Sequence, residues 1–398
     1  MATTGGTAHT RHRSLDGLRG LAALVVVAHH ALLTQPSLYA ANARGGAAAW
    51  WLTYTPLHLV WAGREAVFLF FVLSGFVLTL PFLRDGVPGQ WVAYFPRRFV
   101  RLCVPLAAAV LVSAAIAWLV PRVVTDGASG WLNQHAGPAS IVDTLTLARA
   151  MPLNSALWSL RWEIAFSCLL PLFLSVALMG RRYWPWLLVG ALAVPAVPGL
   201  GAAATYLPMF AVGVCLAVGA DRLLAAARWM PRAAWWALGV GALLLLNARW
   251  IAPATAGTAV RSVVTATAVL GAALLVLLFV AWPAARRLGE HPVVGWLGAV
   301  SFSLYLVHEP VVVSVAVLLG GRANAGYTLL ISLPASLLLG WAFHRLVERP
   351  AHRWSRRIGQ PPAPGRVGQH AAGQRVAARY NSTSSGASAA SISSAARR

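Results

Sequence analysis

The sequence predicts an all-α integral membrane protein of about ten transmembrane helices, with both termini in the cytoplasm. The chain has 398 residues, 58% of them hydrophobic, and its mean hydropathy is +0.66. Charged residues make up only 11%, whereas a soluble domain carries about 25%. A chain with so few charges cannot cover a water-facing surface, so much of its surface must contact lipid.

Each predicted span is an apolar run close to the roughly 20 residues that cross the hydrocarbon layer of a bilayer. Charged and imidazole side chains interrupt the first run at Asp16, Arg19, His29 and His30. They favour a retained helix over a cleaved signal peptide. The ten runs lie near residues 17–36, 60–82, 101–120, 152–178, 184–203, 205–220, 233–252, 262–282, 296–319 and 326–346.

The placement of arginine predicts the orientation of these helices. All 32 basic residues are arginines, in short clusters between apolar runs, which is typical of topology determinants rather than of a nucleic-acid-binding face. With the N-terminus inside, 23 arginines fall in cytoplasmic segments and six in external ones. We therefore expect a cytoplasmic segment over residues 1–13, a membrane domain over 14–350, and a cytoplasmic, largely disordered tail rich in arginine, serine and alanine over 351–398.

The first helix carries polar side chains that are costly inside an apolar span. His30 follows Arg19 by 11 residues, so the two share one helix face, and Asp16 lies on that face too. This places His30 near mid-bilayer, where a neutral imidazole can act as a base, and Arg19 near the cytoplasmic end, where it can bind an anion. A helix–helix hydrogen bond for His30 and snorkelling for Arg19 explain the same spacing.

Two further clusters are open to more than one interpretation. Arg98 and Arg101 are i,i+3 neighbours before the third span, and they suit either a phosphate-bearing donor or positive-inside anchoring. Glu163 shares a face of the fourth span with Ser159. This carboxylate is a candidate proton relay, an orienting partner for a histidine, or half of a buried ion pair.

The ninth span carries a stripe of Ser301, Tyr305 and His308 at positions i, i+4 and i+7. Polar side chains that form hydrogen bonds between packed helices explain this stripe as well as polar side chains that line a cavity. In the second span, Ser74 and Gly75 are typical of a small-residue contact between closely packed helices. The three cysteines follow no metal-binding or disulfide spacing, and the sequence predicts no metal site.

Read in order, these motifs resemble the acyltransferase-3 family of integral membrane acyltransferases, whose members O-acylate sugars, cell-envelope polymers and glycosylated natural products. The resemblance covers about residues 14–350. The motifs that carry it are Leu15-Asp-Gly-Leu-Arg19-Gly-Leu-Ala-Ala-Leu with His30, Phe70-Phe-Val-Leu-Ser74-Gly75-Phe76, Arg98-x-x-Arg101 with Pro105, Trp158-Ser-Leu-Arg-Trp-Glu163, Ser301-Phe-Ser-Leu-Tyr305-Leu-Val-His308 and Val347-Glu348-Arg349-Pro350.

The resemblance implies roles for individual residues. His30 and Glu163 become the catalytic residues, with His30 as general base or acyl carrier. Arg19, Arg98 and Arg101 become contacts of the acyl-CoA donor, and no bound cofactor is implied. The other polar residues expected to line the cavity are Asp16, Ser301, Tyr305 and His308.

The predicted function is O-acylation at the bacterial plasma (inner) membrane, where an acyl group, acetyl by preference, passes from acyl-CoA to a hydroxyl of a carbohydrate, cell-envelope glycan or glycosylated metabolite. The expected partners are the lipid bilayer, acyl-CoA and this acceptor, without nucleic acid. A proton-coupled transporter of a small polar solute is the alternative, because intramembrane His, Glu and Arg also serve proton transport; a non-catalytic scaffold is a third. Phe68, Ser167 and Glu309 depart from the family pattern and bear on the acceptor pocket.

Overall fold

A computed structural model of the chain describes residues 13–35, 46–84, 90–120, 137–147, 151–251, 257–320 and 325–358. Regular structure within these ranges is entirely helical. Residues 1–355 form one compact unit and residues 356–398 a second, of which only 356–358 are described. The predicted tail beyond residue 358 and the chain before residue 13 lie outside the described residues, so the domain boundaries there stay predictions.

The described helices follow one another closely along the chain. A π-helical segment, His344–Glu348, joins the last two. In order they are α1 (Arg13–Leu33), α2 (Gly46–Tyr54), α3 (Gly63–Arg84), α4 (Gln90–Leu119), α5 (Pro138–Thr146), α6 (Trp158–Met179), α7 (Trp184–Ala193), α8 (Ala202–Ala227), α9 (Arg232–Leu246), α10 (Ala248–Ile251), α11 (Thr258–Ala281), α12 (Pro283–Glu290), α13 (Pro292–Leu318), α14 (Ala325–Phe343) and α15 (Arg349–Arg357).

Eight helices in the described part of the chain are long and apolar enough to cross a membrane: α1, α3, α4, α6, α8, α11, α13 and the continuous α14–α15 segment. The predicted fold class is therefore confirmed, but the count of ten spans is not reproduced there. The run near 184–203 holds only the ten-residue α7 and a 3₁₀ turn at Val194–Ala196, because prolines interrupt it. The run near 233–252 holds the 15-residue α9, which ends at Leu246 and is capped by Asn247.

Helices α3, α6 and α8 share an aromatic core. The ring of Phe210 on α8 stacks on Phe71 of α3 at 4.6 Å and on Phe166 of α6 at 4.4 Å between centroids. Beside this stack, a Cβ added to Gly75 would lie 2.1 Å from the carbonyl oxygen of Phe210. Only glycine allows so close an approach of two backbones, so the predicted small-residue contact is confirmed at Gly75.

Helix α1 packs along α13, and this pairing positions the polar residues of both helices. Their backbones approach so closely that a Cβ added to Gly20 would lie 2.4 Å from the backbone nitrogen of Gly298. Helix α1 begins at Arg13, four residues before the predicted run, and its first turn holds the acidic Asp16, which favours a helix start. Helix α1 ends at Leu33, so His30 lies in its last turn; the depth of His30 in the bilayer stays a prediction.

Candidate functional site

The two imidazoles of α1 and α13 meet across the interface between these helices. The Nδ1 atom of His30 lies 3.1 Å from the Nε2 atom of His308, and the ring centroids are 4.9 Å apart. His30 Nδ1 also lies 3.0 Å from the carbonyl oxygen of Val26, one turn earlier. His308 is completely buried, whereas His30 is partly exposed. The structure thus joins two predicted site residues from opposite ends of the chain.

The rest of the predicted stripe on α13 has other partners. The hydroxyl of Tyr305 donates to the carbonyl oxygen of Ala156 at 2.6 Å and lies 2.7 Å from Ser159 Oγ. Ser301 Oγ donates to the carbonyl oxygen of Gly298 within its own helix at 2.8 Å. Tyr305 therefore ties α13 to the start of α6, and His308 is the stripe residue whose ring meets that of His30.

Glu309, the residue after His308, anchors the same connection. Its carboxylate accepts a hydrogen bond from Ser155 Oγ at 2.8 Å and another from the backbone nitrogen of Ala156. It is fully buried, and beside it Asn154 donates to the carbonyl oxygen of Leu306 at 2.8 Å. Glu309 departs from the family pattern in a way that bears on the acceptor pocket, and its carboxylate here binds donors at the start of α6, where a negative charge favours a helix.

A buried ion pair joins α4 to α6. The Nη2 atom of Arg98 pairs with Glu163 Oε1, and the two side chains are only 11% and 15% exposed. Ser74 Oγ donates to the same carboxylate oxygen at 3.0 Å, and Arg98 Nε donates to Ser167 Oγ at 2.9 Å. Of the three readings of Glu163, the ion pair is the one observed. The sequence indicates only a packing role for Ser74, whereas in the structure its hydroxyl also donates a hydrogen bond to Glu163.

Arginines from α1 and α4 converge at the end where α1 begins. Arg19 lies 3.9 Å from the carboxylate of Asp16 and interacts electrostatically with Arg98 and Glu348. Arg101, which is exposed, interacts in the same way with Arg98 and Arg19. We call Arg19, Arg98 and Arg101 the arginine cluster; it unites the three predicted donor contacts, and three guanidiniums at one place can bind a multiply charged anion.

Glu348 is a site residue that the sequence analysis used only as part of a motif. Its carboxylate accepts from Ser303 Oγ at 2.5 Å and lies 2.9 Å from His344 Nδ1, while His352 Nε2 lies 3.7 Å away. The π-helical turn that ends at Glu348 is a form of helix often found at functional sites. An acid flanked at i−4 and i+4 by histidines in one helical run was the sequence signal for this group.

At the other end of α1, imidazole and indole rings pack together. His29 Nδ1 donates to the carbonyl oxygen of Trp61 at 2.8 Å. The fully buried ring of His58 lies 4.3 Å from the ring of Trp61 and stacks on Trp250 at 3.9 Å. Burial, with a smaller contribution from the charge of His29, lowers the pKa of His58 to about 3. His58 therefore stays neutral at physiological pH.

The comparisons with known proteins agree on the chemistry. A family model described as Acyltransferase domain, Acyl_transf_3, matches residues 12–345. Acyltransferase MdmB of Streptomyces mycarofaciens is 29% identical over 379 residues, which cover 85% of this chain and 91% of that protein. No solved structure matches the chain. The arginine cluster and both interface histidines lie within the matched range.

Proposed function

This chain belongs to the Acyl_transf_3 family of acyltransferases, and we propose that it transfers an acyl group from acyl-CoA to a hydroxyl group. The chain is a multi-pass membrane acyltransferase. The donor, the acceptor and the residues that bind them are the subject of the proposal. The acyl group we expect first is acetyl, and the acceptor class is a carbohydrate, a cell-envelope glycan or a glycosylated metabolite.

The observation that carries the proposal is the separation of the arginine cluster from His30 along α1. His30 lies 11 positions after Arg19, which corresponds to a rise of about 16 Å along a helix axis. Acyl-CoA has its phosphates at one end and its thioester at the other end of a flexible pantetheine arm. The arginine cluster suits the phosphates, and the arm then extends along α1 so that the thioester reaches His30.

The chemistry requires a base for the acceptor and a proton for the leaving group. His30 takes the proton of the acceptor hydroxyl while the oxygen attacks the thioester carbonyl. The new C–O bond forms, the C–S bond breaks, and the imidazolium of His30 returns its proton to the departing thiolate. The products are the ester and free CoA thiol, with no net proton released.

The ion pair between Arg98 and Glu163 gives these two residues a shared role in the proposal. Glu163 holds Arg98 in place, and Ser74 and Ser167 complete the arrangement. Arg98 then presents its charge at the donor phosphates, while Arg101 is exposed enough to meet them directly. The arginine bias of the sequence supports a cytoplasmic position for this end of the protein. The membrane we propose is the bacterial plasma membrane, where acyl-CoA is available on that side.

The test uses purified full-length protein in lipid nanodiscs with acyl-CoA donors of increasing chain length. Free thiol release and transfer of labelled acyl groups to a panel of glycans and glycosides are measured together. We expect label to appear in a hydroxylated acceptor in step with thiol release. Label transfer without any acyl-CoA dependence, or no thiol release from any donor by folded protein, would overturn the proposal.

A second arm tests the arginine cluster. S-Acetylpantetheine carries the thioester without the adenosine phosphates, so wild-type protein should use it far less efficiently than acetyl-CoA. Arg101→Ala should raise KM for acetyl-CoA and narrow this preference, because the lost guanidinium contacts only the larger donor. Arg182→Ala is the control, since Arg182 is also exposed but lies against Tyr183. Equal donor preference in all three proteins would contradict the phosphate assignment.

A further inference from the structure

We propose that His308 is a positioning residue for acyl transfer: it holds His30 in the tautomer that carries its proton on Nδ1 and its lone pair on Nε2. The inference rests on the proposed function, in which His30 is the base. It assigns a role to a residue that the sequence could place only in a cavity.

The tautomer of His308 is fixed by its own helix. Its Nδ1 atom lies 2.9 Å from the carbonyl oxygen of Tyr305 and 3.1 Å from that of Leu304. Carbonyl oxygens only accept hydrogen bonds, so Nδ1 carries the proton. The side chain is completely buried in an apolar helix interface, where a second proton would create a costly buried charge. His308 Nε2 is therefore an acceptor.

The tautomer of His30 follows from that of His308. Two acceptors lie within hydrogen-bonding distance of His30 Nδ1: the carbonyl oxygen of Val26 at 3.0 Å and His308 Nε2 at 3.1 Å. His30 Nδ1 must then be the donor to both. A neutral imidazole has one protonated nitrogen, so the lone pair of His30 lies on Nε2. This is the atom that takes the proton of the acceptor hydroxyl.

His308 also supports the charged form of His30 that acyl transfer creates. When His30 Nε2 accepts a proton, the bond from Nδ1–H to His308 Nε2 becomes charge-assisted and stronger. The carboxylate that the sequence offered for this task, Glu163, is paired with Arg98 and Ser74. A neutral histidine acceptor thus occupies the place that a carboxylate takes in a serine-hydrolase triad.

Three substitutions of His308 separate positioning from packing. His308→Leu introduces an apolar side chain of similar size and removes the acceptor. In His308→Gln the amide oxygen reaches about as far as Nε2 of histidine and can accept from His30, whereas in His308→Asn the shorter amide reaches only the place of Nδ1. Asparagine and glutamine are equally polar, so the pair differs in reach rather than in burial cost.

The expected result is a loss of kcat with an unchanged KM for acetyl-CoA in His308→Leu and His308→Asn. The loss should be roughly 10- to 100-fold, by analogy with the loss seen when a hydrogen-bond partner that orients a metal-binding histidine is removed. His308→Gln should recover most of the activity. Equal activity of the Gln and Asn variants, or a rise in KM without a loss of kcat, would overturn the inference.

A spectroscopic measurement decides the tautomer without relying on turnover. Full-length protein labelled with ¹⁵N-histidine, compared with His30→Gln to assign the resonance, reports which ring nitrogen of His30 carries the proton. We expect a protonated Nδ1 and an unprotonated Nε2 in the wild type, and a mixture of both tautomers in His308→Leu. A wild-type His30 protonated on Nε2 would refute the inference. Failure of the proposed function alone would leave this spectrum unchanged and abolish acyl-CoA turnover in every variant.

Discussion

Replacing Gly20 by alanine should both destabilise the protein and impair its site. The added Cβ would lie 2.4 Å from the backbone nitrogen of Gly298 and 2.6 Å from the carbonyl carbon of Leu297. Backbone atoms cannot relieve this overlap by a change of rotamer. Helices α1 and α13 must therefore separate by about 1 Å before the added Cβ lies at a normal van der Waals distance. Overpacking of this kind costs about 1–3 kcal/mol of unfolding free energy.

The same separation acts on the contact between His30 and His308 farther along the interface. Their nitrogens are 3.1 Å apart, and a further 1 Å exceeds the length of a hydrogen bond. Gly20→Ala should therefore lose acyl transfer at temperatures where it is still folded. Thermal unfolding in detergent and a turnover assay on the same preparation measure the two effects.

The matched control is Gly241→Ala on α9. Among the described residues, no atom beyond the local helix backbone lies within 4 Å of a Cβ built at Gly241. This variant should therefore retain its activity and gain up to about 1 kcal/mol of unfolding free energy from the better helix former. A Gly20→Ala protein as stable and as active as Gly241→Ala would show that the α1–α13 interface accommodates the added methyl group, contrary to this prediction.

Two further predictions concern buried charge. Glu163→Gln should lower the unfolding free energy by about 3 kcal/mol, because Arg98 loses its carboxylate partner in a largely buried position. In thermal unfolding, the double variant Glu163→Gln/Arg98→Met should recover much of this loss. If the losses of the two single variants simply add, the two residues are not a coupled pair. Burial holds the pKa of His58 at about 3 against 6.5 for a free histidine, so the unfolded chain binds a proton there at mildly acidic pH while the folded protein does not. As the pH falls from about 6.5 to 3, protonation of His58 in the unfolded chain should lower the unfolding free energy of the wild type by up to roughly 1.4 kcal/mol per pH unit. Denaturant unfolding of His58→Phe should show a smaller loss of unfolding free energy in this pH range and the same pH dependence as the wild type above pH 7.5. If the unfolding free energies of the two proteins fall equally steeply with pH below pH 6, this prediction is wrong.

The spans were predictable because apolar length is a local property of the sequence. Eight of the ten predicted runs match helices of spanning length in the described residues. The other two failed because hydropathy does not register where a helix stops. Prolines break the run near 184–203, and the side chain of Asn247 leaves α9 to donate to the carbonyl oxygen of Thr55 at 3.1 Å.

The site was predictable only as separate pieces. Helical periodicity placed Arg19 and His30 on one face, and the structure keeps them there, but no local pattern reveals which helix lies opposite. The contact of His30 with His308 joins residues 278 positions apart. Likewise the three readings of Glu163 differ only in its partner, which the register of α4 against α6 decides.

The most direct test of the account is single-turnover transfer of a labelled acetyl group from acetyl-CoA, comparing wild-type protein with His30→Ala and His291→Ala in lipid nanodiscs. His291 is an exposed histidine before α13, so its loss controls for the substitution itself. We expect labelled ester to form at the wild-type rate in His291→Ala and at a rate at least about 100-fold lower in His30→Ala. A folded His30→Ala protein that transfers the label at the wild-type rate would contradict this expectation.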